Sequence, residues 1–192
     1  MSEELLVQHC SPTLAGLKTA NLFRCEYETE EELRDFLRMT NNRLSPKGIR
    51  AMPLRYGNGM ALIYVFRPGH LEEDLTSDEA RKLLEENGYF HYCDKSCDNP
   101  CSGLGRCLAR LAMRLNEGND FPHEIGIFLG YPPEDVRGFI DRKPCKCVGT
   151  WKVYGDEKSA REKFARFKKC SEIYCKLHME GRPVEKLAVA QF

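Results

Sequence analysis

Apolar residues recur at two spacings along this chain, and the changes of spacing mark its elements. From Thr29 onward the sequence carries a capping box, Thr29-Glu30-Glu31-Glu32. Leu33, Phe36, Leu37 and Leu44 then fall on one side of a helix that ends before Ser45-Pro46-Lys47-Gly48. The period next drops to that of strands. Residues 49–56 and 60–66 flank Gly57-Asn58-Gly59, a hairpin turn able to supply positive φ angles. Met60–Phe66 is apolar throughout, as for a strand covered on both faces, and Pro53 puts its partner at a sheet edge. Thr76-Ser77-Asp78-Glu79 caps a further helix, with Ala80, Leu83 and Leu84 inside and Asn87-Gly88 as its stop.

Near the start, Cys10 and Ser11 stand before Pro12, which opens a helix bearing Leu14, Leu17 and Leu22. Residues 148–154, VGTWKVY, read as a strand from their β-branched and aromatic content. Gly155-Asp156 turns the chain into a long final helix reaching about Met179. Its buried face is Ala160, Phe164, Phe167, Cys170, Ile173, Tyr174 and Leu177, with Cys175 pointing away.

The stretch FPHEIGIFLGYPPEDVRGFI, residues 121–140, sits between these parts. Ile125, Ile127 and Leu129 alternate as in a strand, while Ile125, Phe128 and Leu129 share one helical face. Pro133 suits a first helical position, and Glu134 and Asp135 put negative charge where the backbone dipole favours it. A helix-turn-helix-like pair is therefore predicted over 123–142, turning at Gly130. The whole reads as an α+β fold. A small antiparallel sheet (49–56, 60–66, 148–154) is covered by several helices, in a single domain over 1–192 with a cysteine-rich segment at 91–107.

Charge narrows the functions. Lysine plus arginine equals aspartate plus glutamate, 29 each in 192 residues, so no global field draws the protein to nucleic acid. A recognition helix starting with Glu134 and Asp135 would repel phosphates, and Arg137, Arg142 and Lys143 are its only cations. That argues against nucleic acid as a partner and leaves a protein-interaction module as the plainer use of the pair. No apolar run is long enough to span a bilayer, and MSEELLVQHC lacks the regions of a signal peptide, so a cytoplasmic protein without a membrane partner is expected.

Ten cysteines then change the picture. Without an export signal they are expected as reduced thiols. Cys93, Cys97, Cys101 and Cys107 lie close together beside His91, a density that suits zinc or an iron–sulfur cluster. Their spacers of three, three and five residues match neither a zinc ribbon nor a ferredoxin run. Cys107 also falls on the apolar stripe of Leu104, Leu108, Leu111 and Leu115. Cys10, read at a helix start, is a candidate nucleophile, with His123 as base and Glu124 to orient the imidazole.

At HCSPTLAGLKTANLF, FPHEIGIFLGYPPEDVRGFI, WKVYGD and KKCSEIYC the chain resembles a family of uncharacterised bacterial proteins, a domain of unknown function found mainly in anaerobes. The resemblance covers nearly the whole length and implies no activity or fold. It places Cys10, His123, Cys170 and Cys175 in the family's motifs, a second candidate metal-ligand set, whereas Cys93, Cys97 and Cys101 lie in a variable stretch. Cys101-Ser102-Gly103-Leu104 and the His123 segment are also similar to short regions of peptidoglycan amidases. The function expected is cysteine-based zinc or iron–sulfur binding or thiol redox. A Cys-His hydrolase and a helix-turn-helix DNA-binding or protein-interaction module are the alternatives.

Overall fold

The computed structural model describes residues 2–89, 100–117 and 121–190, with side chains in the segment after 100 described from Gly103. In chain order the first elements are α1 (Glu3–Leu14), β1 (Ala20–Glu26), α2 (Glu30–Leu44), a 3-10 turn (Ser45–Lys47), β2 (Arg50–Gly57) and β3 (Met60–Phe66). There follow α3 (Pro68–Thr76), α4 (Asp78–Glu86), α5 (Pro100–Glu117), α6 (Ile125–Phe128) and α7 (Pro133–Ile140). The chain closes with β4 (Cys147–Val148), β5 (Lys152–Val153), α8 (Glu157–Met179) and α9 (Val184–Leu187). Among the described residues no helix is long and apolar enough to cross a membrane. The α+β class stands: a small antiparallel sheet with helices, the longest near the C-terminus.

Two compact units divide the chain: Met1–Gly69 with Glu162–Phe192, and His70–Arg161. The first is organised on an antiparallel sheet of order β1-β3-β2. Asn58 and Gly59 both take positive φ, 51° and 75°, forming the tight turn between β2 and β3 that the sequence predicts. The third strand corrects the prediction. It is β1 rather than 148–154, and it pairs Phe23 with Ile63 and Cys25 with Ala61. Residues 20–26 were expected to continue a helix opening at Pro12; instead α1 ends at Leu14. The acidic first turn of Glu3 and Glu4 starts that helix, and Leu6, Val7, Cys10 and Leu14 bury one face of it. Pro12 lies in the last turn, where it forfeits the one bond a backbone N–H would make to the Gln8 carbonyl, and the helix ends two residues later.

Several local signals act as read. Thr29 Oγ1 accepts from the Glu32 N–H at 3.1 Å, and Glu32 Oε2 accepts from the Glu28 N–H at 2.9 Å. β2 is an edge strand, as Pro53 requires, and its register slips between Pro53 and Arg55. Beside it, the Asn41 amide donates to the Ala51 carbonyl and accepts from the Ala51 N–H, both at 2.8 Å. On α8, Cys170 is buried as expected. Ala160 and Phe167 are buried as well, and Tyr174 and Leu177 pack against the core. Two residues depart from the prediction: Ile173, which is exposed, and Cys175, which is half-buried against the core.

Arg67 joins the parts of this unit from the inside. Fully buried, it donates from Nε to the Thr13 carbonyl at 2.7 Å and from one terminal nitrogen to those of Leu14 and Val189, both at 2.8 Å. Its other terminal nitrogen reaches the Lys47 carbonyl at 3.4 Å. The carbonyls at the end of α1 carry partial negative charge, so they can hold a buried cation.

The second unit is helical apart from the hairpin of β4 and β5. Ser77 caps α4 through the Ala80 N–H at 3.4 Å, and Gly88 stops it at φ 82°. Leu83, Leu84, Tyr89, Leu111, Ile127 and Phe128 are among its buried residues. The predicted helix pair exists as α6 and α7, with Gly130 at φ 71° in the turn, though α6 is only four residues long. Arg137 of α7 pairs with Glu86 of α4 at 2.5 Å.

Candidate functional site

Three glycines and one aspartate shape the second unit locally. A Cβ on Gly126 would stand 2.6 Å from Val136 Cγ2, so only glycine lets α6 approach α7 this closely. One on Gly138 would meet the Tyr154 Cγ at 2.4 Å, and one on Gly155 the Glu134 Oε1 at 2.0 Å. These two contacts lay α7 against the β4–β5 hairpin. The part Gly138 plays in α7 is this close approach to Tyr154.

Asp135 fastens that approach. Only 3% exposed, it accepts from Trp151 Nε1–H at 2.7 Å on one oxygen. Its other oxygen accepts from the backbone N–H groups of Tyr154 at 2.6 Å and Gly155 at 2.8 Å. Three donors satisfy the buried carboxylate, and the indole is held in one orientation as a result.

A cavity of about 350 Å³ opens between α6, α7 and the hairpin. Phe121, His123, Tyr131, Phe139 and Trp151 supply rings to its wall, and Ile125, Leu129 and Val136 supply aliphatic surface. Tyr131 and Trp151 stack with centroids 4.9 Å apart, and His123 meets Phe139 edge-on at 4.8 Å. Burial pushes the Tyr131 phenol up to about 12, keeping it neutral. Charge enters from Asp135, already described, and from Lys152, whose ammonium lies 5.3 Å from the Phe139 ring centroid.

The residues singled out from sequence fare unevenly. His123 lines this cavity. Its neighbour Glu124 does not: 1% exposed, it pairs with Arg114 Nε at 2.6 Å and accepts from the Tyr89 hydroxyl at 3.1 Å. Burial, and after it the Glu124 carboxylate, push the Tyr89 phenol up. Cys10 sits inside α1 rather than at a helix start, so the dipole that was to favour its thiolate is absent. Burial pushes its thiol up to about 12, with Lys18 acting the other way, and burial lowers Lys18 to about 8. Cys170 donates to the Ser11 carbonyl at 3.5 Å, and burial raises it to about 11. Burial thus disfavours the thiolate at both positions, which works against a nucleophile there.

The candidate set of Cys10, His123, Cys170 and Cys175 is divided, with His123 in the second unit and the three cysteines in the first. Of the other set, Cys107 is fully buried in α5, Cys93 and Cys97 lie outside the described residues, and so does the Cys101 side chain. Among the described residues no group of three or more histidine, cysteine or acidic side chains is placed to hold a metal ion. Cys145 is exposed and Cys147 half-exposed at the start of the hairpin.

Sequence reasoning missed Tyr131, Asp135, Phe139, Trp151 and Lys152 as a group. Their signal was present in the two blocks GYPPEDV and WKVY, the latter holding the single tryptophan of the chain. No curated protein and no solved structure matches this chain. A family profile does, over residues 6–188, and its description is a protein of unknown function, DUF3793. Covering nearly the full length and both blocks that build the cavity, that match shows the chain to be a member of the DUF3793 family.

Proposed function

We propose that the protein binds a small, flat, largely apolar molecule in the aromatic cavity of its second unit. The observation that carries this reading is the wall itself: five rings and three aliphatic side chains around about 350 Å³. That volume is near the lower end for ligand sites, so it suits a one- or two-ring molecule rather than a dinucleotide. The bond from Trp151 to Asp135 fixes the indole before any ligand arrives, which lowers the ordering cost of binding. Because the chain has one tryptophan, its emission reports on the cavity alone. Titration with toluene, which does not absorb at the red edge where tryptophan can be excited alone, is expected to shift or quench that emission saturably. Phe139→Ala is expected to weaken the effect roughly tenfold through lost ring contact. Emission that stays flat across the titration of a folded protein would overturn the reading.

A second reading, metal or thiol chemistry, draws on the density of sulfur in the sequence and on the accessibility of Cys145 and Cys147. Alkylation of the native protein followed by peptide mass analysis is expected to modify Cys145 first among the cysteines whose side chains are described. Cys10, Cys25, Cys107 and Cys170, all buried, should react only after denaturant is added. Rapid native labelling of Cys10 would instead restore the nucleophile proposed from the sequence.

A further inference from the structure

Resting on the cavity reading, we infer that the ligand carries an anionic group, a carboxylate or its like, and that Lys152 receives it. Four charged or titratable side chains reach the cavity: His123, Tyr131, Asp135 and Lys152, and burial keeps the Tyr131 phenol neutral. The Asp135 carboxylate is engaged by three N–H donors and bound into the hairpin, so it offers no free oxygen to a cationic ligand. Four other cations of its unit are already held by carboxylates. Arg114, Arg137, Lys143 and Arg161 pair with Glu124, Glu86, Asp141 and Glu157 respectively. Lys152 has the face of Phe139 and, among the described residues, no carboxylate within ion-pair distance.

An exposed ammonium resting on an aromatic face is only weakly held. A ligand anion beside an apolar wall offers it a charge-assisted hydrogen bond, which is stronger. The lysine also keeps a long apolar stem that covers the ligand body while its head meets the charge. Tyr131 and Trp151 lie nearly parallel, 28° apart and stacked on each other, so they hold no onium group between their faces.

Calorimetric titration of the whole protein with 2-naphthoate, 2-naphthamide and 2-naphthylmethylammonium separates the terms, because ring and size are shared while charge differs. Binding of the naphthoate is expected to be about tenfold tighter than that of the amide, as one charge-assisted bond allows, and the ammonium weakest. Lys152→Met, which keeps the stem, should bring naphthoate and amide to equal affinity, and Lys152→Arg should retain the preference. Equal binding of all three to the parent protein, or tightest binding of the ammonium, overturns the anion while leaving the cavity reading intact. If none of the three binds a protein whose circular dichroism is native, the cavity reading falls and this inference with it.

Discussion

Asp135→Ala is expected to destabilise the second unit by about 3 kcal/mol or more, the largest effect of any single change near the cavity. The substitution removes one carboxylate but strands three donors: the Trp151 indole N–H and the backbone N–H groups of Tyr154 and Gly155. Each is tied into a buried or half-buried position, and an unsatisfied buried donor costs about 1–3 kcal/mol. The full sum is not reached, because the hairpin can relax toward water. Asp135→Asn makes the sharper comparison. Its amide has one accepting oxygen and one donating nitrogen, so either Trp151 or the two backbone donors must face another donor. Most of the loss is therefore expected to persist in the asparagine variant. Denaturant unfolding followed by Trp151 emission reads both the stability and the release of the indole. A midpoint unchanged in either variant would show that the hairpin is held by something else.

In the first unit, Arg67→Met is expected to cost about 3 kcal/mol, the upper end for hydrogen bonds made by a charged group. The thioether matches the apolar stem but leaves the carbonyls of Thr13, Leu14 and Val189 without their guanidinium donor. Burial lowers the pKa of Arg67, but from so high a starting value that the group stays charged at neutral pH. Arg67→Lys is expected to rescue little, since one ammonium cannot address a helix end and a C-terminal segment in a fixed fork. The two variants should share a second signature. Val189 is tied both to Arg67 and, through its own N–H, to the Leu14 carbonyl at 2.9 Å, so losing the guanidinium loosens the segment after α9. Limited proteolysis is expected to trim that segment in the variants before any core cleavage. Equal resistance in parent and variants would count against Arg67 as the tie.

What the sequence revealed of this fold follows the range over which each structure is decided. The Asn58-Gly59 turn, the Thr29 cap and the Gly88 stop depend on neighbours a few residues away, and all were legible. Residues 20–26 were not, because their conformation is set by pairing with β3, some forty residues later in the chain. Residues 148–154 were read as one strand of the main sheet; the chain instead turns at 149–151, and Val148 faces Lys152 across a hairpin of their own. The cavity was the hardest part. Its residues come from two blocks that were each noticed, the first for its helix start and the second for its strand, and nothing local says that they meet. Gly138 and Gly155 carry that information, but a glycine needed for close approach looks in sequence like any other glycine.

The Asn41 side chain has a consequence for the protein in crowded solution. An edge strand ordinarily offers its unpaired peptide groups as a template on which a second molecule can add a strand. Here the amide of α2 answers both groups of Ala51, much as the backbone of such a molecule would, and the slip at Pro53 spoils the straight run beyond. Aggregation along this rim of the sheet must first evict a side chain of the same polypeptide, one already in place before any neighbour arrives.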